Sequence, residues 1–402
     1  RYESNGDAAE HLRICCDCGA EIGKAAHEKG PYVSGGGDTH SALCVQCGYV
    51  METALHNQGA DGICQDCGQG ANCTVTANGQ VRGYMDFKDA WQATENAGPA
   101  TITLLADMVT TAFLSAGPSQ DITLASAEKP GGGDFSITCT TTNPTRMAVD
   151  GGKLHLSSGC IKSSGGRNQS VALAVSSGGS VEISGGSILS EDTGSQSSAI
   201  TMSSSGSVSI SGGLVRSSEG IGIQMNGGSL SLSDGTVEGK YTGIDIYASN
   251  RGTLSISGGI VNSTANIGNA LQRRDKSTVS LTGGQFKGGE TSVKNESGPV
   301  SQMLAKGYAF QREGVDVSDA SANTLTGMVT VVPLPLHFAE QPQNAYITYG
   351  QSAVLKVEVL GGEPQQTVRY QWYALGDEGA AAIDGAAGAS CILTGLAAGK
   401  HA

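Results

Sequence analysis

Residues 207–263 read SVSISGGLVRSSEGIGIQMNGGSLSLSDGTVEGKYTGIDIYASNRGTLSISGGIVNS. Apolar residues alternate with Ser in Val208-Ser209-Ile210, Leu230-Ser231-Leu232 and Leu254-Ser255-Ile256. A period of two marks strands whose two faces meet different surroundings. Each triplet is followed by Ser-Gly-Gly or a variant of it. A second apolar pair comes next: Leu214-Val215, Thr236-Val237 and Ile260-Val261. A third short strand closes the unit, Ile221–Met225 and Ile244–Ile246 being two examples.

The pattern extends outward in both directions. Leu154-His155-Leu156 and Val181-Glu182-Ile183 precede it, and Val279-Ser280-Leu281 follows; successive triplets start 27, 27, 22, 24 and 25 residues apart. Three short strands in about 25 residues predict a right-handed parallel β-helix, with apolar residues stacked inward rung on rung. Six such rungs at strand spacing make a rod of roughly 40 Å. Leucine-rich and ankyrin repeats are excluded because their Asn and helical signatures are absent. A β-propeller, the structural runner-up, needs blades of about forty residues.

Composition agrees. Gly accounts for 60 of 402 residues, aromatics for 5% and charged residues for 15%. Gly does not recur at every third position and Pro numbers only 10, which excludes collagen. The net charge of −13 argues against a nucleic-acid partner, which needs a basic face. No run of 18 apolar residues exists to span a bilayer. The absence of an initiating Met and of a signal-peptide core reads as an internal piece of a longer, exported protein.

The first 73 residues are different. They hold eight of the eleven cysteines, six of them in three Cys-x-x-Cys pairs: Cys15/Cys18, Cys44/Cys47 and Cys64/Cys67. Each pair is followed by Gly, as in a knuckle that aims two thiolates at one tetrahedral ion. His11-x3-Cys15-x2-Cys18-x8-His27 returns 29 positions later as His40-x3-Cys44-x2-Cys47-x8-His56. The third knuckle lacks both histidines but has Cys73 nearby. Disulfides are the competing reading, yet a disulfide framework has no use for His at fixed offsets. A thioredoxin-like redox role is weakened because no βαβ pattern surrounds any pair.

The expectation is two structural zinc ions, with two partitions open. In one, each unit is its own Cys2His2 site: His11, Cys15, Cys18 and His27, then His40, Cys44, Cys47 and His56. In the other, Cys44, Cys47, Cys64 and Cys67 pair as a ribbon.

Residues 84–97 place Phe87, Ala90, Trp91 and Ala97 on one helical face, and the strand Thr101–Leu105 follows. Helix followed by Thr-Ile-Thr-Leu-Leu resembles the N-terminal cap of bacterial parallel β-helix proteins. Residues 303–333, with Leu-Ala-Lys-Gly-Tyr-Ala-Phe and Val-Thr-Val-Val, resemble the closing turn of such helices on large surface proteins of gut anaerobes. Beyond the linker Pro333-Leu-Pro335, several features resemble a bacterial immunoglobulin-like domain cut short. They are Gln341-Pro342, Tyr349-Gly350-Gln351, the alternating Val354, Val357 and Val359, and Tyr370-Gln371-Trp372-Tyr373. That resemblance makes Trp372 the core Trp of one strand, makes Ser390–Leu393 another, and continues through Leu396 and Gly399.

The fold class expected is therefore all-β. Residues 1–73 form a zinc-ribbon-like Cys/His segment, 74–332 a capped parallel β-helix, and 333–402 an incomplete immunoglobulin-like sandwich. The resemblance implies a modular, extracellular bacterial surface protein of adhesin type. Its rod presents a polar face to a host or plant glycan, mucin or surface protein.

Outward positions of the rod are the candidate binding residues, chiefly Glu182, Arg216, Glu238 and Asp245; a plain solvated face is the alternative reading of them. The rod also resembles pectate lyases and polygalacturonases, which cleave polysaccharides with clustered carboxylates. No Asp-Asp dipeptide, Gly-His-Gly or Arg-Ile-Lys occurs in it, and no two acids share an outward position in adjacent rungs. Glu191-Asp192 is an acidic corner without an aligned partner. Hence a lyase or hydrolase is the first alternative, and a passive stalk the second.

Overall fold

The computed structural model describes residues 1–34, 39–57, 59, 62–247, 252–348, 350–362, 367–376 and 379–396. Its body is a β-solenoid of about eight turns. The period of two works as the sequence implies. Leu154 lies opposite Val181, Val181 opposite Val208, Val208 opposite Leu230, Leu230 opposite Leu254 and Leu254 opposite Val279, all in parallel register. A second sheet stacks Ile161, Ile188, Val215, Val237, Val261 and Phe286. A third stacks Met147, Leu173, Ile200, Ile223, Ile244, Leu271 and Val293. These columns form one continuous core. Each fully buried Leu or Ile in it contributes about 1.5–3 kcal/mol from apolar area removed from water.

The corners explain the glycines. Gly213 has φ +77°, and a Cβ there would lie 2.7 Å from the Gly186 carbonyl oxygen. At its neighbour Gly212 a Cβ would lie 2.4 Å from the Ser184 oxygen. A side chain at either position would push adjacent rungs apart, so Ser-Gly-Gly is a stacking requirement.

Two turns precede the first rung that the triplets reveal. Gly98–Leu104 pairs in parallel with Gln120–Ser126, which pairs with Lys153–Leu156. Their spacing is interrupted by the loop around Gly131–Gly133, which hides the period.

The cap helix is shorter than the 84–97 expected. It spans Phe87–Gln92, with the Asp86 side chain accepting from the Lys88 N–H. Asn96 at φ 57° and Gly98 at φ 71° turn the chain straight into the first rung. Phe87, Ala90 and Trp91 are buried as expected, and Ala97 falls outside the helix. Strand Cys73–Ala77 pairs antiparallel with Gly98–Leu104, so Cys73 lies buried in the cap. At the other end Val329–Pro333 pairs antiparallel with Gln285–Lys287. There Phe310 packs edge-on to Phe286 at 6.3 Å between ring centres. Phe310, Val329 and Val331 are buried, while Leu304, Tyr308 and Val332 are half-buried.

Residues beyond 333 form three separate two-stranded antiparallel pairs. Ser390–Leu393 is indeed a strand and pairs with Ala353–Lys356. Trp372 is half-buried, lies outside any strand, and donates its indole N–H to the Gly388 oxygen at 2.8 Å. The immunoglobulin-like sandwich expected here is not seen among the described residues; Tyr349 and Gly399 lie outside them.

Candidate metal centres and a polar groove

The head is two small meanders. Tyr2–Glu3, Glu10–Ile14 and Glu21–Ala26 form one, and Lys29–Ser34, Thr39–Cys44 and Val50–Leu55 the other. In each, the Cys-x-x-Cys-Gly knuckle is the hairpin tip. Gly19, Gly48 and Gly68 sit at φ 71°, 73° and 73°. The histidines sit at the opposite, open end: His11 faces Ala25, and His27 N–H bonds the Ala9 oxygen.

That placement decides the partition. His11 lies in the strand Glu10–Ile14 and Cys15 just beyond its end, four extended residues on, which separates their backbones by about 13 Å. They cannot share an ion. Instead the open end of one hairpin meets the tip of the next. His11 and His27 converge on Cys44 and Cys47, and His40 and His56 converge on Cys64 and Cys67. Neither partition that spacing left open is the one formed: the within-unit sites fail on distance, and the ribbon separates into two centres. Cys15 and Cys18 belong to neither cluster.

The donors of each cluster lie within 4.8 Å of one another. Nδ1 of His11 is 3.5 Å from Cys44 Sγ and Nδ1 of His27 is 3.4 Å from Cys47 Sγ. The second cluster repeats this, with His40 at 3.4 Å from Cys64 and His56 at 3.4 Å from Cys67. Zn–S and Zn–N bonds at the tetrahedral angle hold S and N about 3.6 Å apart, so two thiols and two imidazoles here fit a tetrahedral ion. Two of the four imidazoles also have a partner on the far side of the ring. His27 Nε2 meets the Asp7 carbonyl oxygen at 2.9 Å, and as donor there leaves Nδ1 free to ligate. His40 Nε2 lies 4.0 Å from the Asp66 carboxylate. Tyr49 stacks on His27 and Tyr32 on His40, at 4.7 and 4.1 Å between ring centres.

Electrostatics favour one thiolate per pair before any ion arrives. Burial opposes the Cys44 thiolate, but the His27 imidazole and the N–H groups of Gln46, Cys47 and Glu28 outweigh it and bring the thiol down to about 5. Burial is likewise overcome at Cys64, by the Cys67 N–H, His56 and the Asp66 N–H, to about 6. Cys47 and Cys67 are pushed up by burial and by the neighbouring Cys44 and Cys64. No disulfide joins any of the cysteines.

The four candidate binding residues of the rod are dispersed over its three faces. Glu182 is on the first sheet, where His155 Nδ1 meets its Oε2 at 3.0 Å and His155 Nε2 meets Asp121 at 3.1 Å. Arg216 and Glu238 are register neighbours on the second sheet, and Asn262 donates to Glu238 at 2.9 Å. Asp245 is on the third. Asp192, which the sequence left without a partner, is fully buried and paired with buried Arg146 at 3.2 Å. It also accepts from Ser163 Oγ at 2.7 Å and the Gly166 N–H at 2.6 Å.

The third sheet carries the feature the sequence did not assemble. Thr201, Gln224, Asp245 and Gln272 are register neighbours on its outer face. Arg274 clamps Asp245 with two bonds of 2.7 and 3.0 Å. Gln169, Gln196, Tyr241 and Tyr247 rise beside this ladder and bound a groove of about 580 Å³. Tyr247 is 62% exposed, a free aromatic edge on the rim. The signal in the sequence was the outward ladder itself; the loop residues that wall it have no periodic register.

No helix of the described residues is long and apolar enough to cross a membrane. Comparison with protein families, with curated proteins and with solved structures found no match.

Proposed function

We propose that this chain is a non-catalytic binding rod of an extracellular bacterial surface protein of adhesin type, its head stapled by two structural zinc ions. The rod's third face takes an extended glycan, such as a mucin or plant polysaccharide chain. The observation that carries this reading is the groove over Thr201, Gln224 and Asp245, with Tyr247 on its rim. Amides, a hydroxyl and a clamped carboxylate offer donors and acceptors to sugar hydroxyls, and a Tyr ring offers a face for a sugar's apolar side. The volume lies within the range of small-ligand clefts, and the groove is open enough to admit a polymer.

Three acids of the rod are each paired with a basic group, which favours binding over cleavage. Asp192 is paired with Arg146, Asp245 with Arg274, and Glu182 with His155. Among the described residues, the groups of three or more potential ligands are the two head clusters. Zinc is favoured over other ions because two thiolates and two imidazoles in a tetrahedron suit it best. The immunoglobulin-like tail is retained within this reading as a spacer.

The test incubates the chain with mucin and plant polysaccharides. It measures protein retained on the polymer together with new reducing ends and unsaturated products. Retention without product, reduced at least tenfold in Gln224→Ala/Tyr247→Ala, is expected. Product release would replace this reading by the lyase or hydrolase one. Neither retention nor product would leave a passive stalk.

A further inference from the structure

Three knuckles and two imidazole pairs leave one knuckle over. The relay of ligands is directional: each His pair reaches to the knuckle that follows it in the chain. Unit one serves Cys44/Cys47, unit two serves Cys64/Cys67, and after His56 the next histidine is His155 in the rod. The knuckle without imidazoles is therefore the first, Cys15/Cys18.

This knuckle is already built. Cys15 N–H bonds the Ala20 oxygen at 2.9 Å and Gly19 N–H bonds the Cys15 oxygen at 3.0 Å. The same two bonds measure 2.8 and 2.9 Å at Cys44, and 2.9 and 2.8 Å at Cys64. What differs is cover. Cys44 and Cys64 are buried, whereas Cys15 is half-buried and Cys18 exposed.

The docking hook is vacant as well. In both complete centres, the residue after the first Cys donates its N–H to the residue after the second His. These bonds are Val45 to Glu28 at 3.0 Å and Gln65 to Asn57 at 2.9 Å. The equivalent donor, Cys16 N–H, makes no backbone bond among the described residues.

We propose that Cys15 and Cys18 are the receiving half of a third metal centre, completed by the imidazole pair at the open end of another hairpin of this repeat. The head is thus a polar array, closed at the rod and extendable at its far end. The proposal rests on the two-centre reading above. The hairpin that docks must bring an imidazole pair that is not already engaged, since both pairs of this chain face Cys44/Cys47 and Cys64/Cys67.

The test titrates Co(II) into the reduced full chain and reads its thiolate charge-transfer absorbance, with free imidazole as the ligand probe. Two equivalents are expected without imidazole and three with it, the absorbance rising by about half. Cys15→Ser/Cys18→Ser should stay at two under both conditions. Three outcomes would overturn the proposal. One is no third equivalent with imidazole. Another is a third equivalent that survives in the double variant. The last is a third equivalent bound equally well without imidazole. Fewer than two equivalents in the double variant would sink the two-centre reading itself, separately from this one.

Discussion

The head and the rod are both β-structure, and different forces hold them. In the rod, every turn adds apolar residues to columns that the turns above and below also cover. In the head, Ile14, Ala42, Cys44 and Cys64 are the buried hydrophobics, and the buried polar residues include His11, His40 and His56. Segments this small rarely bury enough area to fold alone, so on the proposed reading metal ions at the two clusters would stand in for a core. A solenoid propagates by repetition of shape. The head propagates by handing ligands from one unit to the next.

The largest effect that separates them is metal removal. Zinc bound to a Cys2His2 centre contributes on the order of 10 kcal/mol of folding free energy. A chelator is expected to abolish hydrogen-exchange protection over residues 10–55 and leave residues 98–295 protected. Cys44→Ser should cut bound zinc from two equivalents to one. Equal loss of protection in both regions would show that the two do not fold independently. Unchanged protection in the head would refute the metal staple.

This contrast also marks what the sequence disclosed. The rod was legible because Val208-Ser209-Ile210 and its counterparts fix strand, face and register at once. Its first two turns were hidden only by uneven loops. Ten Cys and His positions were named as candidate ligands and eight of them gather in the two clusters, but the partition was not legible, because a repeat of 29 residues is compatible with sites within or between units. Strand rise would have ruled out the within-unit sites, since four extended residues keep His11 from Cys15, but the ribbon is set aside only by the folded head. The groove was half legible. Asp245 was read as outward, whereas Gln169 and Gln196 come from loops whose positions follow only from the closed fold. Asp192 was misread as an open acidic corner because Arg146 lies 46 positions earlier, on another turn.

That pair gives the next effect in size, now within the rod. Asp192→Asn removes the counter-charge of Arg146, which is 3% exposed. Breaking a buried ion pair from one side costs about 3–5 kcal/mol. Thermal unfolding of the rod should shift downward by several degrees while zinc content stays at two. A shift below one degree would mean water reaches the pair.

Alkaline pH should weaken the rod in a narrower window. Burial pushes the Cys139 thiol up to about 12, and raises Cys160 as well. The fold thus favours the protonated thiols, whose unfolded value is about 8.5. Their contribution is complete below that value. It falls by about 1.4 kcal/mol per pH unit for each thiol between its unfolded and folded values. Unfolding by urea at pH 8 and pH 10 measures the slope. Cys139→Ala should lower the slope without abolishing it, the remainder belonging to Cys160. An unchanged slope would show that Cys139 ionises freely in the native rod.

The smallest effect compares two faces of the rod. Glu182 is 61% exposed and, among the described residues, pairs with His155, so the pair is a surface one worth about 0–1 kcal/mol. It lies on the first sheet, away from the groove over Gln224. Glu182→Gln is therefore expected to leave glycan retention unchanged and stability within about 1 kcal/mol. Gln224→Ala should lower retention with as little change in stability, since Gln224 is half-buried on the outer face of its strand. If Glu182→Gln lowered retention as much as Gln224→Ala did, the ligand would lie on the His155 face. The Asp121–His155–Glu182 bridge would then become the site to examine, for binding and for proton transfer alike.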